Sequence, residues 1–302
     1  MRRPLHLFAV SLAIVLAMPA AAQTLYAVSV RTYSDPGYHG VEGNLYTVDP
    51  ETGATNLVTS LNVSGKTPVG LDGLAIHPRT GVFYGITAPT SAVIPRSLVI
   101  LDPATGNVTT VGELSEIGSD IGFDPDGTLY MWLPNTRQLG TVNLDTGEVT
   151  ARGAPIERGA TKGGFAVIGG GKAYVAGTGG AGTLDTVDME TGKLTIGPAL
   201  VGAPFPDLIN GLAYSPRGEL YGINTSFGRA TQANLITINP QTGQVANIGA
   251  LPNDTDALTF GAATVRKDMA ASLMEFRVPV LVALFIFAVI VIIVAMRLSG
   301  NR

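Results

Sequence analysis

Four oxygen-bearing side chains stand at matching places in this sequence. Asp72 precedes Gly-Leu-Ala-Ile, Asp120 precedes Ile-Gly-Phe, Asn210 precedes Gly-Leu-Ala-Tyr, and Asp256 precedes Ala-Leu-Thr-Phe. Gly163 stands at the fifth such place. Carboxylates and an amide oxygen converging on one point are the ligands a hard cation such as Ca2+ takes. The same residue types also cap turns, by accepting bonds from nearby backbone N–H groups. Repetition favours the cap, because repeats copy structural residues. The choice depends on what brings the four places together.

Other chemistries find less support. There is no Gly-x-Ser-x-Gly elbow and no phosphate-binding Gly-x4-Gly-Lys-Ser/Thr loop. Gly169–Gly171 and Gly177–Gly182 are glycine-rich but lie between strand-like stretches with no following helix, so they read as turns. The three histidines, His6, His39 and His77, are scattered, whereas a zinc site wants three or four spaced ligands. His77 stands directly before Pro78, in the place Asp124 and Ser215 take elsewhere, and reads as a turn residue. The chain has no cysteine, which removes disulfides, thiolate chemistry and Cys-ligated metal.

The elements around the four residues repeat. One motif is a turn: Asp49-Pro-Glu-Thr52-Gly53, Asp102-Pro-Ala-Thr105-Gly106, Asn143-Leu-Asp-Thr146-Gly147, Asp188-Met-Glu-Thr191-Gly192 and Asn239-Pro-Gln-Thr242-Gly243. Each is flanked by alternating apolar strands such as Leu98–Leu101 and Val108–Val111. A second motif runs from a Gly-apolar strand through a Pro/Gly turn to a strand carrying tyrosine, as in Ile209–Asn224. Tyr26, Tyr84, Tyr130, Tyr174 and Tyr221 fill the same slot. The unit is four strands in about 45 residues, the rhythm of a propeller blade. Leu25–Val30 lacks a preceding first strand and Asp256–Val265 lacks a successor. Pairing them closes a ring. The expected fold is therefore all-β, a five-bladed β-propeller over residues 23–265, closed by its N- and C-terminal strands.

The Asp-Pro-x-Thr-Gly turns and the Gly-Leu-Ala-x-x-Pro-x-Gly-x-Leu-Tyr-Gly units resemble those of bacterial propellers of the YVTN/NHL and quinoprotein-like group, over roughly Leu25–Val265. That resemblance implies an order within each blade. The Gly-Leu-Ala strand is innermost (A), the Leu-Tyr strand is B, and strands C and D flank the Thr-Gly turn. It also implies that the A–B and C–D turns share one face and the B–C and D–A loops the other. Asp72, Asp120, Asn210 and Asp256 would then ring the channel mouth on the loop-rich face. The calcium-dependent lactonase-like members of the group hold Ca2+ at that spot, so a calcium-dependent hydrolase is the alternative function. The group spans binding modules and enzymes, so fold alone names no activity.

Three B–C loops are long: Arg31–Gly43, Ala88–Arg96 and Thr225–Ala233. They belong to neighbouring blades and carry Tyr33, Tyr38, His39, Phe227 and Arg229, which form the expected ligand-binding rim. The partner expected there is a protein or a saccharide. Residues 23–265 hold 12 Lys or Arg against 21 Asp or Glu, an acidity that excludes nucleic acid.

The ends set the compartment. Residues 1–22 combine Arg2 and Arg3, an apolar core and Ala20-Ala21-Ala22, and read as a signal peptide. Residues 278–296 are unbroken apolar, about 28 Å as a helix, and read as a transmembrane span after a juxtamembrane linker, 266–277. Residues 297–302 form a cytoplasmic tail, with Arg297 and Arg302 and no acid. The expectation is a single-pass protein of the bacterial inner membrane. Its propeller lies in the periplasm, with the tight-turn face toward the bilayer and the loop-rich face away. It acts as a non-catalytic binding module without a resident cofactor.

Overall fold

The computed structural model describes residues 23–30, 43–157, 163–177, 182–205, 208–226 and 232–262. The signal peptide, linker, span and tail read from the sequence lie outside these residues. No helix among the described residues is long and apolar enough to cross a membrane.

The strands follow the repeat. The first three are β1 (Gln23–Ser29), β2 (Asn44–Val48) and β3 (Thr55–Ser60). A small hairpin follows, β4 (Asn62–Val63) with β5 (Thr67–Pro68). Blade 2 is β6 (Gly73–Ile76), β7 (Phe83–Ile86), β8 (Ser97–Leu101) and β9 (Val108–Glu113). Blade 3 is β10 (Ile121–Phe123), β11 (Leu129–Leu133), β12 (Gln138–Val142) and β13 (Val149–Arg152). Blade 4 is β14 (Phe165–Gly169), β15 (Lys172–Ala176), β16 (Leu184–Asp188) and β17 (Leu194–Thr195). Blade 5 is β18 (Leu208–Tyr214), β19 (Leu220–Thr225), β20 (Ala233–Ile238) and β21 (Val245–Leu251). The last strand, β22 (Thr255–Ala262), pairs antiparallel with β1 and completes blade 1 in the order β22-β1-β2-β3. The inner strands β22, β6, β10, β14 and β18 touch in sequence and close a five-membered ring.

Burial grades outward along each blade. The middle strands β11 and β19 are buried throughout, whereas the outer strands β3 and β9 are largely exposed. The core is five wedges, one at each blade interface. Leu45 and Val28 meet Leu74 and Val99 between blades 1 and 2. Ile86 and Leu98 meet Met131 and Leu129 between blades 2 and 3, and Trp132 meets Phe165 between blades 3 and 4. Ala176 meets Ile236 between blades 4 and 5, and Ile223 meets Leu25 where blade 5 returns to blade 1. Every wedge removes apolar side chains from water at about 25 cal/mol per Å2. The ring thus needs no disulfide.

The Thr-Gly motif serves two purposes. Asp49 Oδ1 accepts the amides of Glu51 and Thr52, at 2.8 and 3.1 Å, and Thr52 Oγ1 accepts that of Ala54. Asn143 and Asn239 repeat this pattern. The glycine then meets the outer edge of the preceding blade. Gly106, at φ 72°, lies where an added Cβ would overlap the Ser60 carbonyl, and Gly243 meets Ala199 in the same way. Gly53, Gly147 and Gly192 approach Gly249, Gly112 and Arg152. On β3, β9 and β21 the receiving segment carries a β-bulge, which bends the strand toward the incoming turn. Each outer strand is therefore clasped by the next blade's C–D turn.

Candidate functional site

The four expected oxygen residues all belong to the loop-rich ends of the inner strands, but they are put to different uses. Asp120 has no exposed surface. Its Oδ1 accepts the amide of Ile121 at 2.9 Å, in its own blade. Its Oδ2 accepts the amide of Phe165 in blade 4 at 2.9 Å and that of Leu212 in blade 5 at 3.3 Å. One carboxylate therefore ties three inner strands together across the axis. Burial pushes the Asp120 carboxyl well above the usual carboxylate range; the three amides oppose that shift and Asp256 adds to it. Beside it, Ser119 Oγ donates to the Gly163 carbonyl at 2.9 Å, a further link between blades 3 and 4.

Asn210 and Asp256 are each the extra residue of a β-bulge. Ile209 pairs with Asn224 and Gly211 with Ile223, while Ser29 pairs with Thr255 and Val28 with Ala257. A bulge re-aims the side chain it adds. Here the two meet, Asn210 Nδ2 donating to Asp256 Oδ1 at 2.6 Å, which links blade 5 to blade 1. Asn210 Oδ1 is buried without a hydrogen-bond partner. Asp72, at the entry to β6, donates its amide to the Ile86 carbonyl at 2.8 Å.

Part of this donor set is already engaged within the protein. The Asp120 oxygens are already taken by amides, and Asp256 Oδ1 by Asn210. Among the described residues no three His, Cys, Asp or Glu side chains converge on a possible metal position. His77 is a turn residue: its Nδ1 accepts the amides of Arg79 and Thr80, at 3.2 and 3.3 Å, as Asp124 and Ser215 accept amides in their own turns.

The expected rim residues Tyr33, Tyr38, His39, Phe227 and Arg229 lie outside the described residues. What is described is the footing of the three long loops. Below 31–43, Asn44 donates its amide to Ser29 Oγ at 2.9 Å and Nδ2 to Tyr46 at 3.0 Å, and Ser60 donates to Asn44 Oδ1 at 2.8 Å. Below 88–96, the Thr87 hydroxyl binds the Ile94 carbonyl and accepts the Ser97 amide, the latter at 2.9 Å. Below 225–233, Ser226 and Gln232 bond reciprocally at 2.9 and 3.0 Å. Asn224, fully buried, grips Phe205 through both its amide nitrogen and its oxygen and donates to the Leu208 carbonyl at 2.7 Å.

The tight-turn face holds what sequence reasoning missed. A cavity of about 460 Å3 opens there, walled by all five inner strands. Its lining includes Ala75, Gly122, Ala166, Ala213 and Thr259, one from each. In register, these are the partners of Tyr84, Tyr130, Tyr174, Tyr221 and Tyr26. The repeated tyrosine leans on the following blade: Tyr26 packs edge-on against Phe83, Tyr84 against Phe123 and Tyr221 against Phe260, with ring centroids 5.1 to 5.5 Å apart. The pairing of a large B residue with a small A residue is visible in the sequence, but not that the small ones leave a bowl.

No protein-family model and no curated protein matches this chain. Solved structures do. The crystal structure of a nidogen/laminin complex matches with a TM-score of 0.50 at 13% identity, over 79% of this chain and 98% of that one. A Bacteroides thetaiotaomicron protein matches at 0.46 and 16%, over 66% of this chain and 53% of that one. TolB from Acinetobacter baumannii matches at 0.45 and 14%, over 78% and 54%. At 13% identity the nidogen/laminin match speaks for a shared fold and leaves activity open.

Proposed function

We propose that this chain is a non-catalytic binding module of the YVTN/NHL and quinoprotein-like kind, exported and tethered to the bacterial inner membrane by residues 278–296. It presents its loop-rich, membrane-distal face in the periplasm to a protein or saccharide partner, through Tyr33, Tyr38, His39, Phe227 and Arg229.

The observation that supports this reading is the footing of the three long loops. Each springs from strand ends pinned by side-chain bonds: buried ones at Ser29 and Asn44 and at Thr87 and Ser97, a part-buried one at Asn224 and an exposed one at Ser226. Variable loops on a rigid scaffold are the usual construction of a recognition surface. Beneath them, Asp120 and the Asn210–Asp256 pair bond across blades. The test is a pull-down from membranes with each of 31–43, 88–96 and 225–233 replaced by a short Gly-Ser turn. At least one replacement should abolish a partner that the intact protein retains. A set of three well-folded replacements that keeps every partner would refute the reading.

One observation favours the alternative, a calcium-dependent hydrolase: the buried, unpartnered Asn210 Oδ1 beside Asp256. That reading requires Ca2+ to raise the melting temperature of the full chain, and Asp256→Ala to remove the increment. A melting curve indifferent to Ca2+ removes it.

A further inference from the structure

The cavity at the centre of the tight-turn face does not stand alone. A second groove of about 750 Å3 runs outward between blades 5 and 1, and Gln23 and Phe260 line both. The two form one furrow from the axis to the rim. Its inner part is walled by backbone and by Ala213, Val167 and Phe260. Its outer part lies between the turn Asp49–Glu51 and the turn Ser215–Glu219. There Asp49, Glu51 and Glu219 face a single Arg217. Glu51, Arg217 and Glu219 are exposed, and Glu219 is held by the Tyr221 hydroxyl at 3.2 Å.

We propose that this furrow is a second binding site, for an extended peptide that places an apolar side chain at the axis and a basic residue between Glu51 and Glu219. Three features select that occupant. The bowl is lined by small, aliphatic and aromatic residues together with Gln23, His77, Arg79 and Asp124, and its apolar wall suits an apolar anchor. The arm lies between two turns and leads away from the axis, a course that an extended chain can follow. The acids outnumber the base along the arm, which gives charge complementarity to Lys or Arg. The site lies on the face opposite the long loops, so it stands or falls independently of the loop-face reading.

The experiment uses the full chain purified in detergent and a fluorescein-labelled hexapeptide of alternating Lys and Leu, read by fluorescence anisotropy. Saturable binding is expected that weakens as salt is raised, together with little binding of the matching Glu–Leu peptide. Glu51→Lys, on an exposed turn, should weaken the Lys–Leu peptide by about threefold or more. Thr259→Trp should fill the bowl and weaken it further, with the melting temperature of each variant confirming a folded ring. The inference is overturned if the Glu–Leu peptide binds equally well. It is also overturned if the Lys–Leu peptide fails to saturate at millimolar concentration, or if both folded variants bind it like the parent chain. Loss of loop-face partners in the pull-down above leaves these readings unmoved.

Discussion

At the loop-rich end, the blades are tied by buried polar side chains, each in a different role. At the tight-turn end, five near-copies of one exposed turn do the same work five times. Asp120 has no surface and spans three blades, whereas Asp49 and its counterparts cap their own turns in water. A buried polar group is costly unless every bond is made, so the loop-rich end depends on single residues. The tight-turn end spreads its load over repeats, and its weak points are glycines rather than polar groups. The difference teaches that a repeat protein can hold one end by redundancy and the other by individually placed residues.

The largest expected effect tests that dependence. Asp120→Ala leaves the amides of Phe165, Leu212 and Ile121 without their acceptor inside the protein. It should cost about 3–5 kcal/mol, or on the order of 10 °C in melting temperature. A loss below about 1 kcal/mol would show that the carboxylate is no clasp.

Next comes the glycine clasp. Gly106 and Gly65 share a φ of 72°, but Gly106 abuts the Ser60 carbonyl whereas Gly65 has open space around it. Gly65→Ala should therefore cost about 1 kcal/mol, the backbone penalty alone. Gly106→Ala should cost about 3 kcal/mol, because the outer strand of blade 1 must also move. Equal losses in urea titrations would mean that the contact between blades contributes nothing.

Acid should move the two ends in opposite senses. The carboxyl of Asp120 is raised by burial above its unfolded value near 3.9. Its contribution to stability is therefore full below that unfolded value and lost as pH rises through the folded one. The carboxyl of Asp188 is lowered, first by the Thr191 hydroxyl and then by the Thr191 amide. Its contribution is present above the unfolded value and lost as pH falls through the folded one. As pH falls from 7 toward 4, the melting temperature of the parent should improve relative to Asp120→Asn. Relative to Asp188→Asn it should hold steady over that range and decline only below about pH 4, as pH falls toward the lowered folded value. A gap to Asp120→Asn that stays constant with pH would contradict the shift.

The smallest effect is expected at Asp49→Asn, within about 0.5 kcal/mol, because Asn143 and Asn239 already fill that place in sister turns. A larger loss would mean the turns are not interchangeable.

The ring itself was legible from the sequence, and for a physical reason. Asp, Pro, Thr and Gly at fixed offsets have local work to do, and local work is repeated wherever the turn is. Blade count, strand order and terminal pairing followed, and β1 does pair with β22. The strand starts carrying Asp72, Asp120, Asn210 and Asp256 were equally readable. Their partners were not. Asn210 and Asp256 look like the other two in sequence, yet these two sit in bulges and bond to each other. Nor did the tyrosines announce that Tyr26, Tyr84 and Tyr221 each pack edge-on against an aromatic ring of the next blade.

What the sequence determined alone was therefore the set of interactions made within a few residues: turns, caps, strand alternation, and the repeat they compose. Only the tertiary structure decided which distant side chains meet at the axis. That outcome depends on five distant segments meeting at one axis. There Asp120 ties three inner strands by reaching amides 45 and 92 residues away. At the other end the small partners of the tyrosines leave the bowl open. No local pattern encodes that distance.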